Sequence, residues 1–110
     1  MALTKDQILS IVDVPKPVEV AVPGSGNAFI KRMNFGDALQ FGAFKRDNSE
    51  IAIALFLLSL TLCDEDGKPL LSYDDLLSVD AQSDTISFLL QKAVEINTPD
   101  TKPNDSVKNS

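Results

Sequence analysis

Residues 51–63, IAIALFLLSLTLC, form a run that would be apolar on every face of a helix. Only Ser59 and Thr61 interrupt it, and neither is charged. A surface helix of a globular protein shows an apolar stripe beside a polar face, which this run lacks. As a helix it would extend about 20 Å, too short for a bilayer that needs about 20 apolar residues. We therefore expect protein to surround the run, and we expect so small a chain to need neighbouring chains to cover it.

The apolar run suits either a helix or a buried strand. Ile51, Ile53, Leu55 and Leu57 alternate along it, as side chains on one face of a strand do. Its length favours a helix, because buried strands are shorter. We predict a helix over residues 50–63, with Ser49 as the N-cap.

The N-terminal third predicts one helix and one β-hairpin. Thr4 and Gln7 form a capping-box pattern, which predicts a helix within residues 1–14 that ends before Pro15. Alternating valines from Val18 onward predict a strand, and the turn-rich residues 23–27 predict that the chain reverses into a second strand. We place this β-hairpin at residues 17–33.

Capping residues predict further helices over residues 34–97. Asn34 is a good N-cap for one helix, and Ser72 with Asp75 three residues later marks a short one. Asp80 or Ser83 caps a last helix that ends near residue 97. The fold class is therefore α+β, a small and mostly helical single domain over residues 1–97 with one N-terminal β-hairpin. The polar residues 98–110 predict a disordered tail.

Composition argues against several classes of function. The chain has no histidine, and this removes the commonest general base and metal ligand. Counted as an EF-hand from Asp64, glycine comes at the fourth position instead of the sixth, and Asp75 stands where a bidentate glutamate is required. The single cysteine, Cys63, predicts packing rather than reactivity. We therefore expect no enzyme activity, no cofactor and no metal site.

Charge is distributed unevenly along the chain. The formal net charge is −6, which disfavours nucleic acid and anionic membranes as partners. Seven acidic residues fall between positions 64 and 84, where Lys68 is the one basic residue. This asymmetry suits docking to a basic partner or head-to-tail association, but ordinary solvated surfaces also explain it, and that is the interpretation we favour. Since no secretion signal or membrane span is evident, we expect a soluble cytosolic protein.

Several short motifs occur in an order that resembles one known family. They are the helix start NFGDA at 34–38, the segment LCDEDGKPL at 62–70 after an apolar helix, SYDDL at 72–76, and a closing helix that ends at Asn97. Residues 16–97 resemble the tail assembly chaperones of long-tailed bacteriophages and prophages. In that family an apolar helix ending in Cys/Val-Asp-Glu-Asp-Gly leads to Pro-Leu-Phe-x-x-x-Asp and a terminal helix ending in Leu-Asn. The helix before residue 14 and a hairpin turn without an aromatic residue depart from the family pattern.

The resemblance implies a non-catalytic assembly function. Members bind the tape measure protein, which is long and largely helical, and keep it soluble until tail-tube subunits polymerise around it. A frameshifted long form is thought to recruit the tail tube protein. The resemblance thus implies a homo-oligomer in the host bacterial cytoplasm that is absent from the mature virion. A minor tail or head–tail joining protein, or an acidic adaptor, remains the alternative.

One set of apolar side chains is the candidate for the oligomer or partner interface. These residues could also belong to the ordinary hydrophobic core, and this is the interpretation that we favour. They are Phe41, Phe44, Ile53, Phe56, Leu57 and Leu60.

Overall fold

A computed structural model of the chain describes residues 2–12 and 16–98. It confirms the α+β class, the mostly helical character and the N-terminal hairpin. The elements in chain order are α1 (Lys5–Ile11), β1 (Val18–Val22), β2 (Gly26–Ile30), α2 (Phe35–Lys45), α3 (Glu50–Thr61), β3 (Leu62–Cys63), α4 (Tyr73–Leu77) and α5 (Asp84–Asn97). The predicted disorder beyond residue 98, and the ends of the helix predicted at 1–14, lie outside the described residues.

Side-chain caps begin the helices where the sequence predicts. At each cap the side-chain oxygen accepts a hydrogen bond from the backbone N–H three residues later. This N–H has no partner within the helix, so the cap satisfies it. The caps of α1 to α5 are Thr4, Asn34, Ser49, Ser72 and Ser83. Of the two candidates for α5, Ser83 is therefore the cap.

The sheet has three antiparallel strands in the order β1-β2-β3. The hairpin pairs Val18 with Ile30 and Val22 with Gly26. Gly24 adopts a φ of 73° in its turn, a conformation that favours glycine. Val20 and Val22 are buried but Val18 is 44% exposed, so the alternation of valines marks the inner face of the strand from Val20 onward.

The third strand is a correction to the predicted helix over residues 50–63. α3 ends at Thr61, and Leu62 takes an extended conformation with ψ of 122°. Leu62 and Cys63 pair with Ile30 and Phe29, and the N–H of Lys31 donates to the Thr61 carbonyl at 2.9 Å. The helix ends here because β2 has a free edge. Two extended residues can pair with the backbone groups along that edge, whereas a longer helix would leave those groups unpaired.

The chain covers most of its own apolar helix. α3 packs against α2, α4 and α5, and its second half is buried, with Leu58 at 0% exposure. The expectation that this run needs neighbouring chains is therefore wrong for that half. Ile51, in the first turn, is 64% exposed.

Asn97 connects the end of α5 to residues 31–33, which follow β2. Its side-chain Oδ1 accepts from the N–H of Met33 at 2.8 Å. Its Nδ2 donates to the carbonyls of Lys31 at 3.2 Å and Ala93 at 3.0 Å. This half-buried amide thus fixes the last helix against residues 31–33.

The short helix α1 packs little against the rest of the described chain. None of its residues is buried, and Ile11 is 69% exposed. Its predicted capping box is present: the Thr4 hydroxyl accepts from the Gln7 N–H, and the Gln7 side chain accepts from the Thr4 N–H. Local hydrogen bonds, rather than burial, therefore define this helix.

Candidate functional site

An open apolar groove lies between α3, α4 and α5. Its volume is about 190 Å³. For comparison, a dry apolar cavity of about 150 Å³ holds a benzene molecule. The groove therefore has room for one large aliphatic or aromatic side chain at a time. The apolar side chains along its walls are Ile51, Leu55, Leu76, Leu77, Val79, Ala81, Ile86 and Leu90.

Each wall of the groove follows from a local feature of the sequence. The Ser49 cap starts α3 so that Ile51 and Leu55, four residues apart, lie on one side of the helix. In α5, Ile86 and Leu90 have the same spacing and lie half-buried opposite them. The two helices thus present paired aliphatic residues to the same opening.

α4 closes one end of the groove. The Ser72 hydroxyl accepts from the N–H of Asp75, and the Asp75 carboxylate accepts from the N–H of Ser72, both at 3.0 Å. This capping box makes a five-residue helix in which Leu76 is buried at 1% exposure. The next residue, Leu77, points to the groove and is 56% exposed. Both leucines of α4 therefore line the groove, Leu76 from the core and Leu77 from the surface.

Acidic residues lie in the groove and next to its lining residues in the sequence. Asp80 is the one charged side chain among the described lining residues, and its carboxylate accepts from the N–H of Gln82 at 3.0 Å. Asp74 and Asp84 stand in the first turns of the adjoining helices α4 and α5. An occupant with apolar side chains and a basic flank would complement this surface.

Two of the predicted interface residues take part in an aromatic cluster instead of the groove. The rings of Phe44 and Phe56 stack with centroids 4.2 Å apart and planes 8° from parallel. Tyr73 meets both rings edge-on, at 5.2 Å and 5.9 Å. Such aromatic pairs add to the stability that burial of area provides. The cluster therefore holds α2, α3 and α4 together.

The other four predicted residues lie in or beside the core. Leu57 is buried in the main cluster, and Phe41 packs against that cluster with the Lys45 ammonium 5.4 Å from its ring. Ile53 and Leu60 are half-buried on α3. None of the six predicted residues is among the described residues that line the groove.

The groove residues that sequence reasoning missed carried only a weak signal. Ile51 and Leu55 belong to the apolar run, but the run is apolar on all sides and does not show which side stays open. Leu90 belongs to the amphipathic pattern of α5, and Leu77 follows a recognised cap. Their exposure depends on the angle between helices, which no local pattern specifies.

The acidic turn after β3 is built by hydrogen bonds to Asp64. Its carboxylate accepts from the N–H groups of Asp66 at 2.8 Å and Lys68 at 3.0 Å. These donors, that of Lys68 first, hold the pKa of Asp64 below its ordinary value. Gly67 completes the turn with a φ of 87°. Within residues 2–12 and 16–98 no group of three or more potential metal ligands occurs.

Cys63 lies in β3 and is buried. Burial raises the pKa of its thiol, which the positive charge of Lys31 offsets only in part. A thiol with a raised pKa is a poor nucleophile at neutral pH. The structure therefore places Cys63 as a packing residue.

Comparison of this chain with models of protein families, with curated proteins and with solved structures found no match. Among the helices that the structure describes, none combines the length and the apolar character needed to cross a bilayer. The resemblance to tail assembly chaperones stays a prediction, carried by the motifs at 34–38, 62–70 and 72–76.

Proposed function

We propose that this protein is a tail assembly chaperone of a bacteriophage or prophage. It binds the tape measure protein, keeps it soluble and promotes polymerisation of the tail tube, without catalysis. The observation that carries the proposal is the open apolar groove between α3, α4 and α5. The motif order of residues 16–97 supplies the identity of the client.

The groove is suited to one apolar anchor of an amphipathic helix, because it has room for about one large side chain. Helix-in-groove recognition uses apolar anchors at successive turns of the bound helix, laid between the walls of an apolar cleft. Ile51 and Leu55 on one wall face Ile86 and Leu90 on the other, and each pair covers one turn. The tape measure protein, as a long helical chain, would present such anchors repeatedly.

The acidic residues in and beside the groove support a client segment with basic flanking residues. Asp80 lies in the groove, and Asp84 begins the helix beside it. Opposite charges at a rim raise the association rate and select the register more than they add affinity. Client binding should therefore weaken in high salt without being abolished.

The remaining parts of the proposal concern partners and location. The chain acts as a homo-oligomer in the host bacterial cytoplasm and is absent from the mature virion. A frameshifted long form would add a contact to the tail tube protein. A single groove with room for about one side chain gives weak binding, so several copies along one client would gain affinity through multivalency.

Co-expression with the tape measure protein tests the proposal. Leu77→Ser and Ile51→Ser change exposed groove residues, so the fold should persist while the soluble fraction of client and its co-purification fall about tenfold or more. Val94→Ser is the matched control, because Val94 is an exposed apolar residue of α5 outside the groove. The proposal would be contradicted if Val94→Ser reduced the soluble client as much as the groove variants do, or if the client did not co-purify with the wild-type chain. Mass spectrometry that finds the chain in finished virions would favour a minor tail or head–tail joining protein instead.

A further inference from the structure

The outward side of α2 carries large apolar side chains that nothing in the described chain covers. Phe35 is 89% exposed and Leu39 is 74% exposed. Gly42, Ala43 and Arg46 follow on the same side of the helix and are also exposed. We call these five residues the outer α2 face. The opposite side of α2 holds Phe41 and Phe44, which pack inward, so no residue within 2–12 or 16–98 packs over the outer α2 face.

Gly42 is the feature of this face that the chain's own fold does not explain. Glycine weakens a helix interior relative to alanine. A Cβ atom at Gly42 would meet nothing within 4 Å, and the residue has no positive φ. Neither the backbone nor a neighbour in the described chain therefore requires glycine here. Its effect is a shallow recess on the outer α2 face, beside the projecting Leu39.

We propose that two copies of this chain pair through their outer α2 faces, with the two helices antiparallel. The two-fold axis crosses α2 between residues 40 and 41. In this register Leu39 of one copy lies over Gly42 of the partner subunit, and Phe35 lies against Arg46 of the partner subunit. Each contact occurs twice, as a two-fold interface requires. A projecting side chain thus meets a recess, and an aromatic ring meets a cation.

The antiparallel arrangement follows from the order of residues along the face. A parallel pair would set Phe35 against Phe35 and Leu39 against Leu39, so that the projections coincide and the recesses face each other. It would also bring the two Arg46 charges together and align the helix dipoles in the same direction. The antiparallel pair avoids all three conflicts. Although the chain carries a net charge of −6, the outer α2 face holds no acidic residue, so net charge opposes this contact little.

The area of the face indicates a reversible dimer. An aromatic side chain buries about 150–250 Å² and a leucine somewhat less, so pairing would bury roughly 600–900 Å² in total. Stable interfaces of standard size bury about 1,200–2,000 Å². We therefore expect a dissociation constant in the micromolar range or weaker.

This inference rests on the self-association included in the proposed function, but not on client binding. The outer α2 face belongs to α2 alone, whereas the described residues that line the groove come from α3, α4, α5 and the segment between α4 and α5. A dimer of this kind leaves both grooves open. Two copies could then hold one client at two points.

Sedimentation equilibrium of the full chain, over concentrations from micromolar to millimolar, tests the pairing. Leu39→Gln makes the projecting side chain polar and Gly42→Gln fills the recess, and each should weaken dimerisation about tenfold or more. Gly42→Gln should at the same time raise the thermal stability of the monomer, because it replaces a helix glycine where space is free. Opposite effects on stability and on dimerisation separate loss of an interface from damage to the fold. Val94→Gln, on α5, is the control and should leave the dimer unchanged.

Three results would overturn the pairing. The first is a wild-type chain that stays monomeric at every concentration tested. The second is a dimer that neither Leu39→Gln nor Gly42→Gln weakens. The third is a dimer that Ile11→Gln abolishes, because Ile11 lies on α1 and not on the outer α2 face. Client co-purification distinguishes this failure from failure of the proposed function. A chain that dimerises through α2 and retains no client supports the inference and refutes client binding. A monomer that still retains client supports client binding and refutes the inference.

Discussion

The side-chain amide of Asn97 should contribute a large share of the stability of this small fold. Asn97→Ala removes the acceptor of the Met33 N–H and the donor to the Lys31 carbonyl, two half-buried backbone groups 64 and 66 residues away in sequence. The third bond, to the Ala93 carbonyl, lies within the last turn of α5, where water can replace it. Each of these two bonds contributes about 0.5–1.5 kcal/mol net, so the expected loss is about 1–3 kcal/mol.

Thermal and urea denaturation followed by circular dichroism measure this loss. For a domain of this size about 4–8 °C in Tm corresponds to 1 kcal/mol, so Tm should fall by about 4–24 °C. Asn97→Asp keeps the acceptor for Met33 but puts a carboxylate beside two carbonyl oxygens, and it should cost at least as much. Asn48→Ala is the control, because the exposed Asn48 amide makes one local bond to the Phe44 carbonyl. If Asn97→Ala costs no more than this control, the amide does not hold α5 to the sheet.

Three further measurements test the packing and the titration of the fold. Leu58→Ala empties a fully buried site and should cost about 2–5 kcal/mol in urea denaturation, while an intact urea midpoint would contradict the assigned core. The backbone donors of Lys68 and Asp66 lower the pKa of Asp64 in the folded chain. The stability that these hydrogen bonds provide is therefore present above pH 3.8 and is lost as pH falls through the lower pKa of the folded state. Asp64→Asn should remove this part of the decline in stability at acid pH. Burial raises the pKa of Cys63 above its ordinary 9.0, so stability should decline as pH rises above 9, and Cys63→Ala should remove that part of the decline.

The sequence determined the features that depend on neighbours along the chain. A side-chain oxygen three residues before a free backbone N–H caps a helix whatever surrounds it, and Thr4 and Ser72 therefore mark helix starts correctly. Alternating valines likewise mark a strand, and Gly24 marks the turn that follows. The α+β class follows from adding such local signals together.

Tertiary structure alone decided where the apolar run stops being a helix and how far the chain covers it. Leu62 and Cys63 are extended because the edge of β2, more than 30 residues earlier, offers hydrogen bonds there. Ile51 stays exposed while Leu58 is buried because α4 and α5 cross α3 at particular angles, and side-chain volumes far apart in sequence set those angles. The groove is the space those crossings leave, so it is a property of the packing and not of any one segment.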